Sequence, residues 1–361
     1  MKNVLVSGGA GFIGSGLVRY LLLAEPAAHI YNLDALTYAG SLQNLKDLPD
    51  DGRHTFVQGD IADRDLVEDL LRRRAIDTII HLAAETHVDR SIHGPAAFIQ
   101  TNIVGTFALL EAARAVWIGN RALPDGGLRF HHVSTDEVYG SLEPEEPAFH
   151  EERAYQPNSP YAASKAASDH LVRAYAHTYG LPVSLSNCSN NYGPRQYPEK
   201  LIPLMILNAM AGEPLPLYGD GRQVRDWLFV DDHCRAVHAL LVGGRLGETY
   251  NIGGGSQLTN LELVDQLCRI LDELLPDSPH RPHAQLVRFV PDRPGHDRRY
   301  AMDIRKIQRE LDWSPKESLA SGLRKTVEWY LANGDWVEAI RSEPAYRTWM
   351  ERNYASRGAK P

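Results

Sequence analysis

The stretch Val4-Leu5-Val6-Ser7-Gly8-Gly9-Ala10-Gly11-Phe12-Ile13-Gly14 decides the fold. Val4 to Val6 is a short, mostly β-branched run that suits a buried strand. Glycines then break it. From Phe12 to Leu23 the apolar residues Phe12, Ile13, Leu17, Leu21 and Leu22 return at helical spacing. Ile30-Tyr31-Asn32-Leu33 reads as a second strand, ending at Asp34. Strand, glycine turn, helix and strand make a βαβ unit. In such a unit Gly8 permits the tight turn, Gly11 lets a pyrophosphate approach the backbone, and Gly14 lets the helix pack closely on the strand. The helix N-terminus turns its partial positive charge on the phosphates. A carboxylate where Asp34 stands accepts from a ribose 2′-OH and repels a 2′-phosphate, so the spacing predicts NAD rather than NADP.

Working outward, the rhythm repeats. Thr55–Val57, Thr78–Leu82, Phe130–Val133 and Pro182–Ser186 read as strands. Asp63–Arg74, with Asp63 as N-cap, and Thr101–Trp117 read as helices. This alternation predicts an α/β fold with a doubly wound parallel sheet of Rossmann type. After about residue 190 prolines and glycines become dense, and a strand-like Thr249-Tyr250-Asn251-Ile252 follows. Residues 1–189 and 227–253 are therefore expected to form an NAD-binding Rossmann domain. Residues 190–226 and 254–361 are expected to form a smaller C-terminal substrate-binding domain. The helices near Leu323–Leu331 and Asp335–Ile340 read as packing elements without visible chemistry.

Composition removes several classes. The chain has 361 residues and a formal charge of −8, from 46 acidic and 38 basic residues. Such a surface repels a polyanion, so no nucleic-acid partner is expected. No uninterrupted apolar run reaches the ~18–20 residues that span a bilayer. Nothing before Val4 resembles a signal peptide. Cys188, Cys234 and Cys268 are far apart and odd in number, which suits a reducing compartment. A cytoplasmic protein with no membrane partner is the expectation. Fifteen histidines include no His-Glu-x-x-His. His131 and His132 point to opposite faces of a strand, and His280-x-x-His283 lacks a third ligand, so no metal is expected.

Two clusters carry chemistry. In Asn158-Ser159-Pro160-Tyr161-Ala162-Ala163-Ser164-Lys165, Ser159 suits an N-cap and Pro160 the first helical position. Tyr161 and Lys165 then share one helix face. The Lys165 ammonium, with a bound nicotinamide ring, is expected to lower the phenol by roughly 3 units, about 4 kcal/mol. The strand Phe130–Val133 delivers Ser134-Thr135-Asp136-Glu137 to the carboxyl end of the sheet, where doubly wound folds bind ligands. Oxidation or epimerisation of a sugar needs no paired acid and base there. Elimination of water does, since one group takes a carbon-bound proton and the other protonates the departing hydroxyl. A solvated acidic turn, continued by Glu143, Glu145 and Glu146, is the other reading of the same residues.

Beyond these, Leu82-Ala83-Ala84-Glu85, Ser134-Thr135-Asp136-Glu137-Val138-Tyr139-Gly140, Asn187-Cys188-Ser189-Asn190-Asn191-Tyr192-Gly193-Pro194, Arg225-Asp226-Trp227 and Asp292-Arg293-Pro294-Gly295-His296-Asp297-Arg298-Arg299-Tyr300 follow in order. With Gly8–Gly14 and Tyr161–Lys165 they resemble the dTDP-glucose 4,6-dehydratases of the extended short-chain dehydrogenase/reductase family. The resemblance implies a lyase of deoxysugar biosynthesis with dTDP-glucose as substrate. It implies oxidation at C4 by bound NAD, loss of water across C5–C6 and hydride return to C6. An NAD-dependent epimerase or decarboxylase on the same scaffold is the alternative. It assigns catalysis to Thr135, Asp136, Glu137, Tyr161 and Lys165. Around NAD it implies Gly8, Gly11, Phe12, Ile13, Gly14, Asp34, Ala35, Leu36, Thr37, Asp60, Ile61, Leu82, Ala83, Ala84, Glu85, Thr101, Tyr161, Lys165 and Asn191. For the sugar nucleotide it implies Thr86, Thr135, Asn190, Lys200, Leu201, Pro216, Leu217, Tyr218, Arg225, Asn251, Asp292, Arg293, Pro294, Gly295 and His296. Arg225 and Arg293 would neutralise the diphosphate. The helix Ile103–Trp117 is apolar on two faces, Ile103, Phe107 and Leu110 on one, Val104, Ala108, Ala112 and Val116 on another. Burial beneath the C-terminal segment would satisfy both faces. The resemblance implies instead a homodimer paired through a helix bundle.

Overall fold

The first apolar run becomes β1 (Asn3–Ser7) and the second β2 (His29–Asp34), paired in parallel with Leu5 opposite Tyr31. The structure is a computed structural model that describes residues 1–119 and 127–355. Four further strands follow in the predicted places: β3 (His54–Gln58), β4 (Thr78–His81), β5 (Arg129–Thr135) and β6 (Val183–Cys188). Then come β7 (Asn190–Tyr192), β8 (Leu215–Tyr218), β9 (Val224–Phe229), β10 (Thr249–Ile252), β11 (Gln257–Thr259) and β12 (Val287–Val290). The main sheet has seven strands in the order β3-β2-β1-β4-β5-β6-β10. Every pairing within it is parallel. Val4, Leu5, Val6, Ile79 and Ile80 are wholly buried, as expected where helices cover both faces. The strand order reverses between β1 and β4, which opens a crevice at the carboxyl ends of the strands.

The glycine turn is sterically demanded. Gly8 has φ +76°, and a Cβ there would sit 2.7 Å from the backbone nitrogen of Ala83. A Cβ on Gly14 would strike the carbonyl oxygen of Gly8. Gly11 is less crowded and faces the crevice. It precedes the helix Phe12–Ala24, whose N-terminus has no side-chain cap. Its free amides suit an anionic group.

A second layer lies beyond the carboxyl ends. β7, β9 and β11 form one small sheet, and β8 pairs with β12. Its core gathers Tyr192, Ile206, Leu217, Leu263, Leu323 and Tyr330. β9 runs straight through the expected boundary between residues 226 and 227. Beyond the two C-terminal helices expected from sequence stands a third, Pro344–Ala355.

The helix containing Ile103 and Trp117 is longer than predicted. It runs Pro95–Ile118, 24 residues, and is apolar and long enough to cross a membrane by length and composition, with half of that window buried in the protein. Counting only uninterrupted apolar residues misses it, because Asn102, Thr106 and Glu111 interrupt the run. Leu110, Ala108, Ala112 and Val116 are buried within the chain, whereas Val104 and Phe107 are 40% and 46% exposed. The two-face division is thus corrected: the outward stripe is Ile99, Val104 and Phe107.

The turn gives the first test. Gly14→Ala forces the helix off β1, and overpacking of this kind costs about 1–3 kcal/mol. Chemical denaturation should show that loss, whereas an unchanged midpoint would mean that the close helix–strand approach is not required.

Candidate active site

Where β1 and β2 end, the cofactor crevice is built from backbone. Asp34 is 8% exposed, and its carboxylate accepts from Ala10 N at 2.9 Å and Leu36 N at 2.8 Å. Burial pushes Asp34 upward, and the two amide donors oppose that. The bond from Leu36 accompanies a left-handed backbone there, φ +52°. One continuous cleft is lined by Gly8, Gly11, Phe12, Ile13, Gly14, Asp34, Ala35, Thr37, Asp60, Ile61, Leu82, Ala83, Ala84, Glu85, Thr101 and Asn191. Leu36 alone of the expected cofactor residues does not line it. Uncapped amides, a close backbone approach and a carboxylate at the second strand's end fit a dinucleotide.

The catalytic cluster meets the same cleft, which Thr86, Thr135, Asp136, Glu137, Tyr161, Lys165, Asn190 and Lys200 also line. Ser159 caps the helix Pro160–Tyr179, accepting from Ala162 N at 3.0 Å, with Pro160 at its start. Lys165 Nζ donates to Val133 O at 2.8 Å. Thr135 Oγ1 accepts from Glu137 N at 3.2 Å and lies 3.3 Å from Asp136 Oδ1. The acidic turn is thus sheltered at Asp136 and Glu137 but exposed at Glu143 and Glu145. Asp136 is 1% exposed, and Asp136 Oδ2 and Glu137 Oε2 have no hydrogen-bond partner among the described residues.

Their surroundings push the two carboxyls apart. Burial drives Asp136 well above the usual carboxylate range, and the charges of Glu137 and Asp226 add to it. Burial also raises Glu137, but Arg293, Arg225 and Lys200 pull it back. Both carboxyls are thus raised, but three cations oppose the rise at Glu137, and unequal surroundings of this kind are what acid–base chemistry at neutral pH uses. For Tyr161 the expectation includes a bound nicotinamide ring, and the chain alone shows the opposite direction. Burial raises its phenol well above 10, Glu137 and Cys188 add to that, and Thr135 opposes it. Lys165 does not reverse this within the protein alone. Burial lowers Lys165 itself.

On the substrate side the placement is mixed. Lys200 Nζ donates to Thr86 O at 3.0 Å, and Leu201 begins the helix that follows. Gly295, at φ +64°, brings its loop onto Asn158, where a Cβ would lie 2.8 Å from the carbonyl oxygen. His296 Nδ1 is 2.6 Å from Asp292 Oδ1. Burial holds His296 near 4, with Arg293 and Arg225 adding. Arg225 is turned inward, donating to Val224 O and Asp297 O at 2.8 and 2.9 Å with its guanidinium 4.1 Å from the Tyr300 ring centre. Asn251 is fully buried and spent inside the chain: its Oδ1 accepts from Tyr139 and its Nδ2 donates to Phe149 O, both at 2.9 Å. The Asn251 side chain thus meets Tyr139 and Phe149 rather than the cleft. Pro216 and Leu217 pair with β12, and Leu217 belongs to the second core. Tyr218 OH donates to Asp89 Oδ2 at 2.8 Å. Arg293 lies 3.6 Å from Asp89 Oδ1. For Pro294 the structure records no contact that places it in the cleft.

Sequence reasoning missed several neighbours. Arg90 pairs with buried Glu199 at 2.8 Å and lies between the Tyr38 and Trp349 rings, 3.9 and 4.4 Å from their centres. Trp349 comes from the last helix, and Asn353 on it approaches Tyr218 OH at 3.4 Å. That helix is not inert packing. Asp226, in a quoted motif but given no role, sits at about 6, raised by burial and held down by backbone amides of Ser256, Met302, Gly254 and Gly255.

Fold and site define a dinucleotide-dependent enzyme of the extended short-chain dehydrogenase/reductase type. Residues 5–326 match the family model described as GDP-mannose 4,6 dehydratase. The chain is 53% identical to dTDP-glucose 4,6-dehydratase of Salmonella typhimurium over 98% of this chain and 99% of that one. It is 56% identical to dTDP-glucose 4,6-dehydratase of Neisseria gonorrhoeae over 92% of this chain and 96% of that one. A crystal structure of the Streptomyces venezuelae dTDP-glucose 4,6-dehydratase with NAD bound superposes with TM-score 0.85 at 49% identity, covering 94% and 99% of the two chains. UDP-glucose 4-epimerase of Thermotoga maritima is more distant, with TM-score 0.78 at 31% identity, covering 91% and 99%. The chain belongs to the dTDP-glucose 4,6-dehydratase family.

The buried pair makes a stability prediction. A carboxyl whose folded pKa is raised destabilises the fold above that pKa, and the penalty fades as pH falls towards the unfolded value. Asp136→Asn should thus stabilise the protein at neutral and alkaline pH, by about 1–3 kcal/mol for an uncompensated buried group. The gain should shrink as pH falls. Denaturation midpoints across pH check this, and a variant less stable than wild type at alkaline pH would contradict the burial argument.

Proposed function

We propose that this chain removes water from dTDP-glucose to give dTDP-4-keto-6-deoxyglucose, as an NAD-dependent hydro-lyase. The observation that carries the reading is the Asp136–Glu137 pair, two adjacent carboxyls on the cleft, one buried and one half-buried, to which we assign the acid and the base. NAD, which the glycine turn and Asp34 would hold, would accept hydride from C4 and later return it to C6, and in its oxidised form would bring a positive charge to the cleft. The other roles fall to the chain. Tyr161 takes the proton of the C4 hydroxyl, with Thr135 and Lys165 around it. The C4 ketone acidifies the C5 proton, which Glu137 removes. Asp136 protonates the C6 hydroxyl as it leaves. Glu137 exchanges that proton with solvent and then reprotonates C5 as hydride returns to C6. Thymidine diphosphate rather than uridine rests on the relatives' substrate. Arg293 and Lys200 neutralise the diphosphate, with Arg225 buttressing the loop beneath them. An epimerase reading leaves the paired carboxyls without a task.

The wider reading has three parts. Residues 1–189 with 227–253 hold NAD, and residues 190–226 with 254–361 hold the sugar nucleotide. The enzyme works in the cytoplasm, its three described cysteines being free and buried. It works as a homodimer, in which Ile99, Val104 and Phe107 meet the outward face of the partner's Pro160–Tyr179 helix. That face carries the small residues Ala163 and Ala174, both exposed, which permit close helix approach.

Two experiments test the proposal. Incubation with dTDP-glucose should yield the 4-keto-6-deoxy product with solvent deuterium at C5. Glu137→Gln should lose product formation by about 10²–10⁴-fold, the usual weight of a general base. A galactose isomer as product, or a Glu137→Gln enzyme at full rate, would overturn it. For the dimer, Phe107→Arg combined with Val104→Asp should give a folded monomer by light scattering. A wild type already monomeric at micromolar concentration would contradict the pairing.

A further inference from the structure

Tyr161, Lys165, Asp169 and Arg173 stand four residues apart on one helix, so phenol, ammonium, carboxylate and guanidinium form a single stripe. The first two reach the cleft. The last two lie behind it. Lys165 Nζ is 3.5 Å from His132 Nε2, and the same ring nitrogen is 3.2 Å from Asp169 Oδ1. Asp169 Oδ2 accepts from Ser134 Oγ at 2.8 Å and Tyr155 OH at 2.9 Å. Arg173 donates to the same Tyr155 hydroxyl at 2.7 Å. The side chains of His132 and Asp169 are wholly buried, so no solvent offsets a charge placed there.

We propose that Asp169 is a positioning residue for the reaction: its carboxylate, one helical turn behind Lys165 and in contact with His132, keeps the Lys165 ammonium charged and aimed into the cleft. The inference rests on the reading of Lys165 given above. A lone buried ammonium sheds its proton unless a counter-charge holds it. Burial lowers Lys165, and Asp169 is the largest influence opposing it, ahead of Cys188.

The other groups around the ammonium do not supply that counter-charge. On β5, His132 is pushed well below 6.5 by burial, Lys165 and Arg173. On β4, His81 is likewise driven down by burial, with His132 and Lys165 adding. On β6, burial raises the Cys188 thiol to about 12. Tyr161 on the same helix is raised as described. Asp169 is itself raised by burial and pulled back by Lys165, Ser134, Arg173 and Tyr155. Tyr139, which also faces it, is raised well above 10 by burial. Arg173 is half-buried and completes the alternation of charge at the far end of the stripe.

Two variants with opposite signs test this on the holoenzyme. Asp169→Asn keeps the shape and removes the charge. The alkaline limb of kcat/KM against pH should move to lower pH by about one unit, the scale of a lost charge partner, with kcat falling more than KM rises. Arg173→Met removes the opposing cation and should move the same limb to higher pH. NMR titration of the Lys165 side chain should show matching shifts independently of turnover. An unmoved Lys165 titration in folded Asp169→Asn, or shifts of one sign in both variants, overturns the inference. Should Asp169→Asn fail to fold, Arg173→Met decides alone: no shift, or a shift to lower pH, overturns it. Lys165→Met separates the two levels. Full turnover without Lys165 overturns the reading of Lys165, whereas a dead Lys165→Met with unmoved titrations overturns the stripe alone.

Discussion

Charge buried at the carboxyl end of β5 is the constraint on which the rest of this structure turns. Asp136, Glu137, Tyr161 and Lys165 converge there, with Asp226, Arg225, Arg293 and Lys200 around them. In water these groups would titrate at ordinary values and act weakly. Where they are buried, each is governed by its neighbours. The sheet delivers Asp136 and Glu137 from the end of β5, and the helix Pro160–Tyr179 brings Tyr161 and Lys165 to the same cleft. Tyr161 shows how finely this balance depends on what binds. Burial, with Glu137 and Cys188 adding, raises the phenol, and a cation bound in the cleft would act in the opposite direction.

The Rossmann half was legible because local rules agree with the global fold. Val4–Val6, Gly8–Gly14 and Asp34 each have one purpose, and the structure places them within a few ångströms of one another. Ser159-Pro160 marked a helix start that the structure keeps. The adjacency of Asp136 and Glu137 was equally plain. Their burial was not, since a run of acids in sequence looks the same whether it is solvated or sealed beneath a second layer.

What remained hidden depends on long-range contact. Arg90 reads as an ordinary surface arginine until Glu199 and Trp349 close on it from more than a hundred residues away. Asn251 carries a motif-like position but spends its amide on Tyr139 and Phe149. Pro95–Ile118 was underestimated because periodicity reports a helix's faces but not which neighbour covers each. The Lys165–Asp169–Arg173 spacing, by contrast, is visible in the sequence. It becomes informative only once His132 and Ser134 are seen to arrive opposite it from β5.

The division of Asp136 and Glu137 into acid and base is the central claim, and their protonation states can be read directly. Infrared difference spectroscopy at neutral pH should show the carbonyl band of a buried protonated carboxylic acid. That band should vanish in Asp136→Asn and persist in Glu137→Gln. A spectrum with no such band, or one whose band is lost with Glu137 and kept without Asp136, would contradict the account.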